Sequence, residues 1–285
     1  MMSIALIKKL REETGAGMLE CKKALEDHQG DYEKALSYLN SLFHEKIETL
    51  RVASKGLCHI VIKDNEAILF EVNAETDFVS KNTHFVKLIH DLGDILIDSH
   101  ANYPKQALEI TYGKQSVEKM IKHTANIIKE NAYLRRFFRI KKDDSQVFGS
   151  YIHQGGKVVT LVILNSKHES LARDLAMQVA ANSPVYLSLD SIDEQTKAYE
   201  RMMYEKNHSK SDEDLFMKHL KEMTIYEQSF IKDSTKSVKE VLLSFNTDII
   251  DFFRFELGQG IEDKLNCKLT LPCDGSMIEI KPKNV

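Results

Sequence analysis

A chain of 285 residues exceeds the usual size of one hydrophobic core, so its length predicts two or more domains. A hydrophobic fraction of 42% with 29% charged residues is ordinary for a folding, water-facing protein. The formal net charge of -4 excludes a global basic field of the kind that drives phosphate-backbone binding, so nucleic acid is not expected as a primary ligand.

Residues 1–45 predict three short helices. Ser3 is placed to cap the first, which carries Ile4, Leu6, Ile7 and Leu10 before Thr14-Gly15-Ala16-Gly17 breaks it. Met18 to Asp27 repeats Met18, Cys21 and Leu25 at helical spacing; Gly30 then ends the turn and Asp31 caps a third helix through Leu36, Leu39 and Phe43. Adjacent Met18 and Leu19 cannot face the same side of one helix, so at least one should be exposed. The Gly-x-Gly lacks both a preceding strand and the spacing of a phosphate loop, so it is not expected to bind a nucleotide. Residues 46–56 carry charge without a strong apolar face and read as a linker.

From Leu57 the period changes to two. Leu57 to Lys63 and Ala67 to Asn73, joined at Asp64-Asn65-Glu66, predict a hairpin whose second arm reads as a half-buried strand. Asn73-Ala74-Glu75-Thr76-Asp77-Phe78-Val79-Ser80-Lys81-Asn82 then connects strand to helix. Phe78, beside Asp77 and flanked by polar groups, has little core to fill there and reads either as an anchor for a partner's pocket or as a staple folded back under its own helix. Phe85, Leu88, Ile89, Leu92, Ile95 and Leu96 form one helical stripe; Pro104 reads as a break; Ser116 to Glu130 is a second amphipathic helix; Tyr133 to Lys141 is a strand. These elements make residues 57–140 the first half of a core.

Residues 141–190 make the second half, with strands at Gln146 to His153 and Lys157 to Asn165 around Gln154-Gly155-Gly156, then a helix from Glu169 to Asn182. The shared order of hairpin then helix predicts a duplicated α+β core with antiparallel sheets, the strands forming either two small sheets or one mixed sheet. Residues 191–233 read as a protruding helical hairpin, with Tyr199, Met202, Met203, Leu215, Phe216, Leu220 and Met223 on a thin seam that suits a homodimer contact as well as a partner contact. Residues 234–285 return to the core through a helix at Ser237 to Phe245 and a strand at Asp248 to Glu256, followed by a charged tail.

No constellation of catalytic or metal-binding residues is present in the sequence. His168-Glu169 opens a zincin-like pattern, but Ala172 stands where the second histidine belongs; the 11 histidines lack metal spacing; Gly155-Gly156-Lys157 is a hairpin turn. Cys21, Cys58, Cys267 and Cys273 contain no Cys-x-x-Cys pair and are expected as free thiols in a reducing compartment. Met1-Met2-Ser3-Ile4-Ala5 lacks the apolar stretch of a signal peptide, and no apolar run approaches the roughly 20 residues of a membrane span. The expectation is a cytoplasmic protein that uses no cofactor or metal and meets no membrane, and nothing in the residues requires it to be an enzyme.

Leu10-Arg11-Glu12-Glu13-Thr14-Gly15-Ala16-Gly17-Met18-Leu19-Glu20-Cys21-Lys22-Lys23-Ala24-Leu25 resembles the N-terminal signature of the bacterial elongation factor Ts family. Asn73 to Lys81 resembles its second signature, the Thr-Asp-Phe-Val loop, and Ser237 to Leu243 with Phe253 to Glu262 resembles its C-terminal part. The resemblance implies a ubiquitin-associated-like (UBA-like) N-terminal module and a guanine-nucleotide exchange factor for elongation factor Tu, met in its GDP-bound and nucleotide-free forms during translation elongation. Thr76, Asp77, Phe78 and Val79 would then act in dislocating the GTPase's Mg²⁺. Arg11, Met18 and Leu19 would grip its nucleotide-binding domain. His153, in the family's Tyr-x-His turn, would face another domain, with Gln154 as an extra residue before the glycines. On the residues alone two other classes stay open: a three-helix tethering module on an unrelated scaffold, for which Phe78 is dispensable, and a small-molecule enzyme using His153 or a cysteine.

Overall fold

The computed structural model describes residues 4–14, 17–46, 53–113, 115–207 and 212–261. Helices α1 (Ile4–Thr14), α2 (Met18–Asp27) and α3 (Tyr32–Lys46) form the N-terminal unit, fitting a UBA-like module. They close on a small core of Leu10, Cys21, Leu25, Ala35 and Leu39. Gly30, at φ +82, takes the left-handed conformation that turns the chain out of α2 and donates its amide back to the Leu25 carbonyl. The expected Ser3 cap, the Gly15-Ala16 break and the side chain of Phe43 lie outside the described residues, as do most of the linker and the tail with Cys267 and Cys273.

Two units of like topology follow. The first comprises β1 (Lys55–Lys63), β2 (Glu66–Ala74), α4 (Thr83–Asp98), α5 (Pro104–Glu109), a ribbon of β3 (Thr111–Tyr112) with β4 (Gln115–Ser116), α6 (Val117–Ile128) and β5 (Ala132–Lys141). The second comprises β6 (Val147–His153), β7 (Val158–Leu164) and α7 (Glu169–Asn182). The hairpin α8 (Glu194–Asn207) and α9 (Glu213–Glu222) interrupts it before a ribbon of β8 (Ser229–Phe230) with β9 (Asp233–Ser237), then α10 (Val238–Ser244) and β10 (Ile249–Glu256). Of the two sheet arrangements left open, the structure has two separate antiparallel sheets, ordered β1-β2-β5 and β6-β7-β10. In each, the strand that completes the sheet arrives late and pairs with the second arm of the hairpin. The fold is α+β.

The sheets stack face to face, with helices on the two outer faces. Ile68, Phe70 and Val72 of β2 point outward against Phe85, Leu92 and Leu96 of α4, whereas Ala67 and Leu69 point inward to Val159, Leu161 and Phe255 of the second sheet. This layering corrects the sequence reading of β2 as half-buried: from Ala67 to Ala74 every residue is buried, because the strand is central in its sheet and covered on both faces. Glu71 is the charged exception, fully buried and held by Arg135 at 2.9 Å, Arg136 at 2.7 Å and the Gly258 amide at 2.8 Å. Removing one partner would strand a buried charge, so this node fixes the segment after β10 onto the first sheet.

Three further readings gain detail or change. The break read at Pro104 lies between the end of α4 at Asp98 and α5, which Pro104 opens at its first turn, where its missing amide hydrogen costs nothing. The helical hairpin stops at Glu222 rather than 233, and the chain beyond it forms the β8–β9 ribbon. The hairpin's inner contact is made by Tyr204, Phe216 and Leu220, whereas Tyr199, Met202 and Leu215 turn outward. Among the described residues no helix is long and apolar enough to cross a membrane.

Candidate functional site

The connection from β2 to α4 is built around a contrast between neighbours. After Glu75 and Thr76 the chain makes one 3₁₀ turn, Asp77–Lys81, in which Val79 is 2% exposed and Phe78 80% exposed. Val79 joins the core beneath α4 with Val72 and Phe85, so its side chain has no face to offer a partner; the contact role expected of it becomes an anchoring one. A tight turn needs a pin, and pinning Val79 under the helix drives the preceding side chain outward. Asp77 is exposed beside Phe78.

Both ends of the turn are tied. On the far side, Asn82 caps α4, its side-chain oxygen accepting from the amides of His84 at 2.9 Å and Phe85 at 3.4 Å. Within the turn the Ser80 hydroxyl donates to the Asp77 carbonyl at 2.7 Å. On the near side, Thr76 donates its amide at 2.8 Å and its hydroxyl at 2.5 Å to the carboxylate of Glu130, just past α6. Asn131 reciprocates, donating its amide at 3.2 Å and its side-chain nitrogen at 2.9 Å to Glu75. Phe78 is thus a large apolar side chain in water on a backbone held at both ends.

The other expected contact residues fall into two groups. Arg11 is exposed on α1; Leu19 is 83% and Met18 38% exposed at the start of α2. This module packs on the core through α1 and α3 against α6, the helix whose end carries Glu130. Arg11, Met18 and Leu19 therefore sit on a unit that shares one supporting helix with the Phe78 turn. His153 lies elsewhere, half-buried at the end of β6, its ring tilted against Tyr151 with centroids 5.8 Å apart. Gln154 at φ +48 and Gly155 at φ +64 both take left-handed conformations, so the extra residue is absorbed within the turn and His153 keeps its register opposite Val158. Gly156, at φ +103, brings its carbonyl to the Cys58 amide at 2.8 Å, and a side chain there would meet the Cys58 carbonyl, so this turn is also a bolt between the two sheets.

Residues 75–259 match the Elongation factor TS family. The chain is 38% identical over 283 residues to an elongation factor Ts of Acholeplasma laidlawii (strain PG-8A), covering 93% of this chain and 95% of that one. It is 36% identical to an elongation factor Ts of Aster yellows witches'-broom phytoplasma (strain AYWB), covering 89% and 97% of the two chains, and 32% identical to one of Phytoplasma australiense, covering 88% and 97%. The chain belongs to the elongation factor Ts family. It is a translation elongation factor of a family that in general exchanges nucleotide on elongation factor Tu. The matched span takes in the Phe78 turn and His153 and begins after the three-helix module.

Sequence reasoning missed the residues that present the elongation factor Ts loop. Glu130 and Thr76 are 54 residues apart, and nothing in the spacing near a helix end announces that its last carboxylate reaches across to another connection. Among the described residues no group of three or more His, Cys, Asp or Glu side chains is placed to hold a metal ion. Cys21 and Cys58 are buried free thiols, and burial raises both pKa values above the ordinary thiol range, which keeps them protonated at neutral pH.

Proposed function

We propose that this protein binds elongation factor Tu–GDP, dislocates its Mg²⁺ and releases GDP during the elongation phase of protein biosynthesis in the cytoplasm. The observation that carries this reading is Phe78, 80% exposed on a turn whose next residue is buried. A GTPase holds its diphosphate through a phosphate loop and Mg²⁺, so a factor that speeds release must push on those elements and stabilise the emptied site. An anchored aromatic does this efficiently, since little conformational freedom remains to be lost when it inserts. Phe78 is the wedge, Asp77 brings a carboxylate beside it to compete with the groups that hold Mg²⁺, and Thr76 and Val79 fix the turn.

Two grips make the wedge effective. Leu19, with Met18 and Arg11, presents the module's exposed apolar surface to the nucleotide-binding domain, and His153 at the second sheet meets a different domain. Binding energy gathered at these places is applied at Phe78. No covalent bond is made or broken, so this is not an enzyme in the chemical sense, and neither nucleic acid nor membrane takes part. Coupling is reciprocal: because the factor weakens GDP, rebinding of nucleotide weakens the factor and expels it.

The test is the release of a fluorescent GDP analogue from elongation factor Tu under excess unlabelled GDP, followed as the factor is titrated. Phe78→Ala is expected to lower the saturating release rate about ten- to a hundred-fold, equivalent to about 1.4 to 2.8 kcal/mol of barrier. Leu19→Ala is expected to raise the half-saturating concentration several-fold with little change in the plateau, as loss of a grip. Release at the spontaneous rate with the unaltered protein would refute the reading.

A further inference from the structure

We propose that Glu130 is a positioning residue for nucleotide exchange, holding the Phe78 turn in its insertion-ready form and linking that turn to the helix on which the N-terminal module sits. The proposal rests on the reading of Phe78 as the wedge. Four observations carry it. First, the half-buried Glu130 carboxylate accepts both the amide and the hydroxyl of Thr76, two residues before Phe78. Charge-assisted bonds of this kind are stronger than neutral ones, and two on one residue fix direction as well as distance.

Second, the contact is reciprocal, with Asn131 donating twice to Glu75, so the two segments are stapled by four hydrogen bonds that cross between them. Third, Val79 in the core and the Asn82 cap lie after Phe78, and the Ser80–Asp77 bond is internal to the turn, so none of these ties the turn to the segment before it. Glu130 and its neighbour supply the support before it. Fourth, α6 ends in a left-handed residue, Lys129 at φ +62, just before Glu130 reaches Thr76, while the body of α6 receives α1 and α3 of the module. One rigid helix therefore sets the position of both the grip and the wedge.

A residue that presets a conformation acts on the fraction of molecules competent to bind. Its loss raises the concentration needed for half-maximal effect and leaves the saturated rate alone. A residue that is the wedge behaves the other way. Glu130→Ala is thus expected to raise the half-saturating concentration about ten-fold with an unchanged plateau, through loss of the competent fraction. Glu130→Gln, which keeps a carbonyl oxygen facing Thr76, should stay within about three-fold of the unaltered protein. Thr76→Val removes the hydroxyl but keeps the amide, and should move the same parameter in the same direction by less, which covers the case in which Glu130→Ala folds poorly.

The decisive arm is the double variant. If Glu130 works through Phe78, Glu130→Ala placed on Phe78→Ala adds nothing to either parameter. Additive effects in the double variant, a fall in the plateau of Glu130→Ala, or a half-saturating concentration matching the unaltered protein would each overturn the positioning role. If Phe78→Ala is slow while Glu130→Ala is normal, positioning alone fails. If Phe78→Ala is itself normal, the wedge reading fails and the positioning role falls with it.

Discussion

The two core units build the same sheet, yet their equivalent connections do different things. In the first, residues 75–82 between β2 and α4 hold a 3₁₀ turn with Phe78 in water; in the second, residues 165–168 between β7 and α7 run straight into the helix. Both are clasped by the residues that precede the unit's last strand. Glu130 and Asn131 before β5 hold Thr76 and Glu75; Thr247 and Asp248 before β10 donate to the Asn165 side-chain oxygen, each at 3.0 Å. The clasp therefore belongs to the topology. What the first unit adds is length between clasp and helix, filled by an exposed aromatic and a buried valine. A shared scaffold holds the connection still, and the longer turn presents an exposed aromatic.

The two units differ again at the seam between helix and first strand, where each uses a glycine on opposite sides. Gly149 lies on β6, and a Cβ there would sit 2.0 Å from the backbone of Ala172 in α7. Gly93 lies on α4, and its Cβ would meet the tip of Val61 at 2.6 Å. Backbone cannot yield as a side chain can, so Gly149→Ala should cost about 3 kcal/mol in urea unfolding, the upper end for overpacking. The first unit carries a smaller liability of another kind. His59 is wedged under α4 against Phe70 and His90, and burial chiefly, with His90 second, lowers its pKa to about 4, while Asp94 opposes the shift.

Between pH 6.5 and 4 the unfolded chain takes up a proton at this histidine that the folded chain refuses, so stability falls as pH drops through that window and is flat above it. The expected loss is about 2 kcal/mol, discounted for partial exposure, and His59→Gln should flatten the profile. Glu66, whose pKa is lowered by its bonds to Lys141 and Arg139, contributes stability that is lost as pH falls further into the acid range. Smallest is Gly93→Ala: the helix-forming gain of alanine offsets the shift demanded of Val61, leaving a change within about 1 kcal/mol.

Much of this architecture was legible in the sequence because it rests on local chemistry. The period-two runs and the stripe from Phe85 to Leu96 mark elements that their own residues favour. The long motifs around Leu10 to Leu25 and Asn73 to Lys81 carry the family. Non-local choices were hidden. That β5 joins β2, and that β10 crosses the hairpin to join β7, depends on pairing across long stretches of chain. The full burial of β2 follows from its central place, which no alternation could reveal. In the candidate site, an aromatic between polar neighbours signalled Phe78, but Val79 carried no mark separating it from its neighbours, and Glu130 reads locally as one more charged helix end.

Phe78 and Val79, one peptide bond apart, are 80% and 2% exposed. The most direct measurement pairs urea unfolding with GDP release from elongation factor Tu for Phe78→Ala and Val79→Ala. Phe78→Ala should unfold within about 0.5 kcal/mol of the unaltered protein, as an exposed site does. Its saturating release rate should still fall at least about ten-fold. Val79→Ala should instead lose about 1 to 2 kcal/mol of stability through the vacated core volume. Release by Phe78→Ala at the unaltered rate, or a loss of release matched by a loss of stability, would contradict the division of wedge from anchor.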